Sequence, residues 1–316
     1  MQPDVSFVIA AYNAETTLAR AVDSALSQRN VTVEVIVVDD RSGDRTLDVA
    51  RSYPQDLVRV VALSQNRGPG GARNAGLDTA RGRWVAVLDA DDEVYPDRIA
   101  KMIARAERAQ AQIAVDNMRV IPENGAAAYA MFPAAYLHQA GAFSLADYIE
   151  GNLVFESRFN LGYLKPVFDR AFLTGMALRY DEKLSIGEDY LFLASALAMG
   201  GKCVVEPDIG YAYHIRSDSI SRVLELSHLE AMREADRVFA KTHVLDARSR
   251  AAFERRSRSL RRAESFLSLV KHIKARSPLK AIRAALNDPS AVRHLGMPIA
   301  KRLRGVAAQF AAGVGR

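Results

Sequence analysis

Short apolar runs alternate with segments of helical spacing along residues 5–118, and three of the runs stop at polar residues. Residues 5–11 are ended by Tyr12 and Asn13, residues 33–38 by Asp39 and Asp40, and residues 84–88 by Asp89, Asp91 and Asp92. Runs this short and this apolar read as strands buried on both faces. Further strands are expected at 57–63 and 113–118. Residues 15–28 carry Leu18, Ala21, Val22, Ala25 and Leu26 at helical spacing. Residues 44–52 and 96–109 also read as helices, with Pro96 suited to a first turn. Gly68-Pro69-Gly70-Gly71 reads as a turn or loop leading into a helix that ends near Ala80. Such a succession gives an α/β fold with a mostly parallel sheet and helices on both faces. Ligands of such sheets gather beyond the carboxyl ends of the strands, where the polar residues fall.

Residues 120–185 are broken by Pro122, Pro133, Gly141, Gly162 and Pro166, and no regular pattern emerges. A helix is expected from Gly187-Glu188-Asp189 to Gly200-Gly201, then two short strands at 202–205 and 211–215. From Glu225 the pattern is mainly helical. A domain over 1–222 is therefore expected, in halves 1–118 and 119–222, followed by a basic helical C-terminal region over 223–316. The whole chain carries 43 Lys+Arg against 37 Asp+Glu. From Glu225 onward there are about 20 basic and about 8 acidic residues, which makes the body acidic and the tail basic. The single cysteine, Cys203, excludes an intrachain disulfide and a Cys-based zinc site, and reads as a strand residue in a reducing compartment. No targeting segment and no run of about 18 apolar residues is visible. The expected location is cytoplasmic.

The polar groups have definite chemistry. Asp-x-Asp at a strand end can give one carboxylate to a hard divalent cation and one to a sugar hydroxyl; it can equally be an N-cap cluster. A carboxylate at Asp39-Asp40 can accept from a ribose hydroxyl or a base N–H, or cap the following helix. Tyr12 can stack on a nucleobase or simply pack. The glycine run lacks the Lys-Ser/Thr of a phosphate loop and reads as a flexible approach that leaves Arg73 facing the site. Glu188-Asp189 at a helix start suits an anionic proton acceptor, or a cap. His214 and Arg216, with Ser219 to Arg222, form a polar loop able to meet a diphosphate or a metal.

Taken in order, Val5–Ala14, Val35–Thr46, Asn66–Gly76, Val87–Asp92 and Gly187–Phe192 resemble the family 2 glycosyltransferases of the GT-A (Rossmann-like) fold, over about residues 4–222. The flavour is that of bacterial enzymes extending exopolysaccharide repeats, such as the succinoglycan type. The resemblance implies a nucleotide-diphospho-sugar donor, UDP-glucose being favoured, and an inverting mechanism with Mn2+ or Mg2+. It implies that the Ala11 backbone, Tyr12 and Asp40 hold the nucleobase with Arg73 nearby. Asp89 would touch ribose or sugar, Asp91 would bind the metal, and Asp189 would be the general base. His214 would approach the metal or diphosphate, and Arg216 the diphosphate. The halves 1–118 and 119–222 then become the nucleotide-sugar and acceptor halves of a catalytic domain.

No Gln-x-x-Arg-Trp follows the base motif, so single-sugar transfer is expected rather than processive synthesis. Inversion in one displacement needs a carboxylate base and no Ser or Cys nucleophile. The basic tail, with Arg248, Arg250, Arg255, Arg256, Arg258, Arg261 and Arg262, reads as a solvated helical face, a homodimer contact, or an adhesive surface for the anionic inner leaflet of the cell membrane. At that leaflet a lipid-linked oligosaccharide acceptor would sit. Nucleic acid is not an expected partner. Two rivals are a sugar nucleotidylyltransferase, which needs a Gly-rich basic loop where Tyr12-Asn13-Ala14-Glu15 stands, and a non-catalytic scaffold, which predicts missing acids.

Overall fold

The computed structural model describes residues 2–215, 224–289 and 292. Arg216 and Ser219 to Arg222 therefore lie outside the described residues. Strands β1 (Val5–Ala11), β2 (Val33–Asp39), β3 (Val58–Ala62) and β4 (Trp84–Asp89) form a parallel block in the order β3-β2-β1-β4. Helices α1 (Leu18–Leu26), α2 (Thr46–Arg51) and α3 (Gly68–Thr79) connect them. Strand periodicity explains the burial on both faces. Val8, Ile36, Val38, Val85 and Val87 enter one core; their neighbours Phe7, Ile9, Val35, Val37, Ala86 and Leu88 enter the other. The fold is the mostly parallel α/β class expected.

Helix α3 differs from the sequence reading. The glycine run is not a loop before the helix but its first turn, with Pro69 at the N-terminal position where a missing N–H costs least. The later Gly76 has a packing reason: a Cβ there would lie 2.3 Å from Val8 Cγ1, so only glycine lets α3 lie this close to β1. This contact sets the height of Arg73 over the sheet.

Past β4, the sheet continues through β5 (Glu93–Val94), β6 (Ile113–Pro122), β7 (Tyr129–Ala130), β8 (Ala142–Phe143), β9 (Val167–Asp169) and β10 (Cys203–Ile215). Helices α4 (Arg98–Ala109), α5 (Ala134–Ala140), α6 (Leu145–Glu150), α7 (Arg170–Gly175) and α8 (Glu188–Ala198) complete this part. The three residues of β9, unread in the sequence, run antiparallel between β4 and β6. The two short strands expected at 202–205 and 211–215 are one strand. Pro207 and Gly210 do not end β10; its pairing with β6 shifts register twice between Glu206 and Tyr211, as bulges do.

Helices α9 (Leu226–Thr242), α10 (Ala247–Lys274) and α11 (Pro278–Asn287) follow. Packing runs across the expected boundary at residue 222. Phe239 and Leu245 join the main core, and Ala252 of α10 packs with Ala146 and Ile149 of α6. The arginines read as a basic face are largely engaged with the body. Arg248 pairs with Asp147, Arg255 with Glu150 and Arg262 with Glu156, while Arg256 binds Asp236 of α9 and the Asn152 carbonyl of the body. No helix among the described residues is long and apolar enough to cross a membrane.

Candidate active site

The carboxyl end of β2 meets the start of α3 through Asp40, and that of β4 meets α3 and the N-terminus of α8 through Arg73. Arg73, buried on α3, donates from Nη2 to Asp89 Oδ1 at 2.9 Å and from Nη1 to Glu188 Oε1 at 2.7 Å, and its Nη1 lies 3.2 Å from Asp189 Oδ1. Lys165 lies opposite. Its Nζ is 2.6 Å from Asp89 Oδ2 and 3.1 Å from Asp189 Oδ2. Asp89 and Asp189, 100 residues apart in sequence, are thus clamped together by the same two cations.

Electrostatics follow from this. Burial alone would push the Asp89 carboxyl up, but Lys165 and Arg73 outweigh it and hold Asp89 well below the usual carboxylate range. Burial would likewise lower Lys165, yet Asp189 and Asp89 keep its ammonium more firmly protonated than in water. Glu188 is raised, first by burial and then by its neighbour Asp189. Gly187, with φ of 92° at the N-cap of α8, allows the chain to turn into that helix directly before both acids.

Lys165 escaped the sequence reading. It precedes Pro166 and β9, and nothing near it in sequence hints at an acid partner. Its backbone is held by a second buried pair: Arg98 binds Asp116 with two hydrogen bonds of 2.8 and 3.0 Å, and its Nη2 donates to the Lys165 carbonyl at 2.5 Å.

The Asp-Ala-Asp-Asp cluster divides its labour. Asp89 faces the cations. Asp92 is buried, accepts from Tyr211 Oη at 2.8 Å and from the His214 N–H at 2.7 Å, and ties the turn to β10. Tyr211 Oη also accepts the Asp89 N–H, at 3.2 Å. Asp91 is partly exposed, and its carbonyl accepts from Arg20 Nη2 at 2.5 Å. His214 reaches this turn through Asp92, and its Nε2 stands 2.9 Å from Glu93 Oε1. Among the described residues no group of three or more His, Cys, Asp or Glu is gathered for a metal ion.

On the β1–β2 side, Tyr12 is 53% exposed beyond β1. The Ala11 carbonyl accepts the Asp40 N–H at 2.9 Å as part of the sheet. Asp40, expected to meet a base, is buried, and its Oδ1 accepts the Arg67 N–H at 2.7 Å, just ahead of α3. Its neighbour Asp39 has one oxygen on the Ser42 N–H at 3.3 Å, while its other oxygen, Oδ1, is buried with no hydrogen-bond partner. Cys203 is buried in β10, and burial pushes its thiol up to about 12, which suits no nucleophile.

A sequence model described as Glycosyl transferase family 2 matches residues 6–172. The chain belongs to glycosyltransferase family 2. Succinoglycan biosynthesis protein ExoO of Rhizobium meliloti (strain 1021) is 54% identical over 308 residues, covering 98% of this chain and 88% of that protein. Among solved structures, S. aureus TarS 1–349 in complex with UDP-GlcNAc superposes with a TM-score of 0.66 at 20% identity, over 89% of this chain and 90% of that one. Mannosyltransferase PcManGT from Pyrobaculum calidifontis, in complex with GDP-Man and Mn2+, gives 0.62 at 15% identity, over 96% of this chain and 81% of that one. Family 2 membership makes the chain a transferase and sets aside the nucleotidylyltransferase reading. The Asp89–Arg73–Lys165–Asp189 cluster lies in the part of this family 2 fold where α/β sheets bind their ligands.

Proposed function

We propose that the enzyme moves one sugar from a nucleotide-diphospho-sugar, UDP-glucose being favoured, to a hydroxyl of a growing lipid-linked exopolysaccharide or cell-surface oligosaccharide. Transfer inverts the anomeric carbon, and the protein acts peripherally at the inner face of the cell membrane. The observation that carries this reading is the pair of carboxylates, Asp89 and Asp189, held by two shared cations. The likeness to ExoO supports the exopolysaccharide, and the bound nucleotide sugars of the two solved structures support the donor class.

Residues 1–118 would hold the donor. Tyr12 stacks on the base, and Asp39 takes the base contact first given to Asp40, because Asp39 keeps an unpartnered oxygen and Asp40 is spent on α3. Asp89 meets ribose or sugar. Asp189 accepts the proton of the attacking hydroxyl, with Arg73 and Lys165 each against one of its oxygens. Residues 119–222 would shape the acceptor side, which contributes Lys165.

A divalent ion would take Asp91, on its partly exposed turn, as a hard oxygen ligand, and His214, whose imidazole stands on Glu93, would leave that partner to join it. Bound there, Mn2+ or Mg2+ would neutralise charge on the leaving diphosphate. Arg216 is proposed for the same diphosphate.

Calorimetric titration with UDP tests the binding half of this reading. Affinity is expected to rise with Mn2+ in the wild type and to lose that rise in Asp91→Ala. Asp39→Asn should weaken UDP by ~10-fold or more, the scale of one charged hydrogen bond. Equal wild-type affinity with and without Mn2+ would remove the metal, and an unaffected Asp39→Asn would return the base contact to Asp40.

A further inference from the structure

Helix α11 is packed on one side only. Ala281 and Ala285 rest against Phe266 and Leu269 of α10. Its larger apolar residues face outward: Leu279 is 82% exposed, Ile282 56% and Leu286 73%. Positions i, i+3 and i+7 fall on one stripe of a helix. Three exposed large apolar residues in line are unusual for a surface with no partner.

The charge around the stripe has one sign. Lys271, Lys274, Arg276, Lys280 and Arg283 are all exposed along the end of α10 and α11. No acid occurs between Glu264 and Asp288, and none follows Asp288. This differs from the earlier turns of α10, where arginines bind acids of the body.

We propose that this apolar stripe with its cationic rim docks the enzyme on an anionic phospholipid surface. The helix would lie in the plane of the interface, its leucines and isoleucine among the acyl chains and its cations at the headgroups. A second copy of the chain would bring two cationic rims together, so charge complementarity favours the lipid. The site of adhesion thus moves from the α10 arginines to α11. The inference deepens the proposed function, whose lipid-linked acceptor gives docking its purpose, but binding itself is read without any sugar.

The test is flotation of the full chain with phosphatidylcholine vesicles, with and without phosphatidylglycerol, while UDP affinity is measured in parallel. The wild type is expected to float only with phosphatidylglycerol, and less so as salt rises. The triple variant Leu279→Ser, Ile282→Ser, Leu286→Ser, and separately Lys280→Glu with Arg283→Glu, should each lose vesicle binding by ~10-fold or more with UDP affinity unchanged. A wild type that does not float, or variants that float equally, would overturn the inference while intact UDP binding left the enzyme's function standing. A triple variant that instead splits a wild-type dimer in sedimentation, with vesicle binding kept, would assign the stripe to a second copy. Loss of UDP binding by the wild type would count against the function and not against the docking surface.

Discussion

Asp189→Asn is expected to cut turnover by a factor of ~10² or more while UDP affinity stays nearly constant. Asparagine keeps the size of the side chain and can still accept from one cation, so the fold and the donor half should survive. What it cannot do is take a proton. Wild-type Asp189 has each oxygen against a different cation, Arg73 at 3.2 Å and Lys165 at 3.1 Å. A companion variant separates charge from shape. Lys165→Met removes one positive charge from a cluster of Arg73, Lys165, Asp89, Glu188 and Asp189. Lys165 is the foremost charge opposing the rise that burial gives Asp89, so without it Asp89 takes up its proton at higher pH and the acid limb of the kcat/KM profile should move up, whereas Lys165→Arg should hold it near the wild-type position. Unchanged turnover in Asp189→Asn would remove Asp189 from the role of base. An unmoved acid limb in Lys165→Met would reduce Lys165 to packing.

Arg256→Ala is expected to destabilise the protein by about 3–5 kcal/mol, the cost of stranding a buried partner charge. Arg256 is buried between the C-terminal helices and the body. Its Nε is 2.9 Å from Asp236 Oδ2, its Nη1 donates to the Asn152 carbonyl at 2.6 Å, and its guanidinium lies 3.6 Å from the Tyr190 ring centroid. One side chain thus joins α9, α10, the segment after α6, and the helix that begins with Glu188 and Asp189. Burial raises the Asp236 carboxyl, and Arg256 opposes that rise. Without Arg256 the acid is left in the interior, and the Asn152 carbonyl loses its donor. Urea denaturation should show a lower midpoint with an unchanged slope. Adding Asp236→Ala should recover part of the loss, since the stranded charge is then gone. A single variant within about 1 kcal/mol of wild type would mean that the C-terminal helices are not held through this pair.

The parallel half of the fold was legible because β1, β2 and β4 are apolar on both faces and α1 shows its stripe. Leu18, Ala21, Val22 and Ala25 are the buried residues of α1, as their spacing predicts. The convergence of Asp89 with Asp189 was legible only through the resemblance, since local pattern says nothing about residues this far apart. The rest was hidden for physical reasons. Three residues are too few to announce β9, and with β9 went Lys165. β10 reads as two strands because its pairing with β6 shifts register between Glu206 and Tyr211, and bulges use the same residues as turns. The glycine run reads as a loop because glycine lowers helix propensity, while in the structure Gly70 lies against Tyr180 and Asp181, and Gly71 against Arg67 and Glu182. Adjacent Asp39 and Asp40 point to different places, which no sequence order reveals. The α10 arginines looked like a solvated face because their acid partners lie about 100 residues earlier in the chain.

Single displacement at Asp89 and Asp189, with the proposed UDP-glucose donor, is tested most directly by proton NMR of the glucose first released on incubating the enzyme with UDP-glucose and no acceptor. The donor is α-linked, and attack from the opposite face delivers β-glucose before mutarotation. Initial β-anomer, lost in Asp189→Asn, is the expected result. Initial α-anomer would mean retention and would contradict a mechanism built on one carboxylate base.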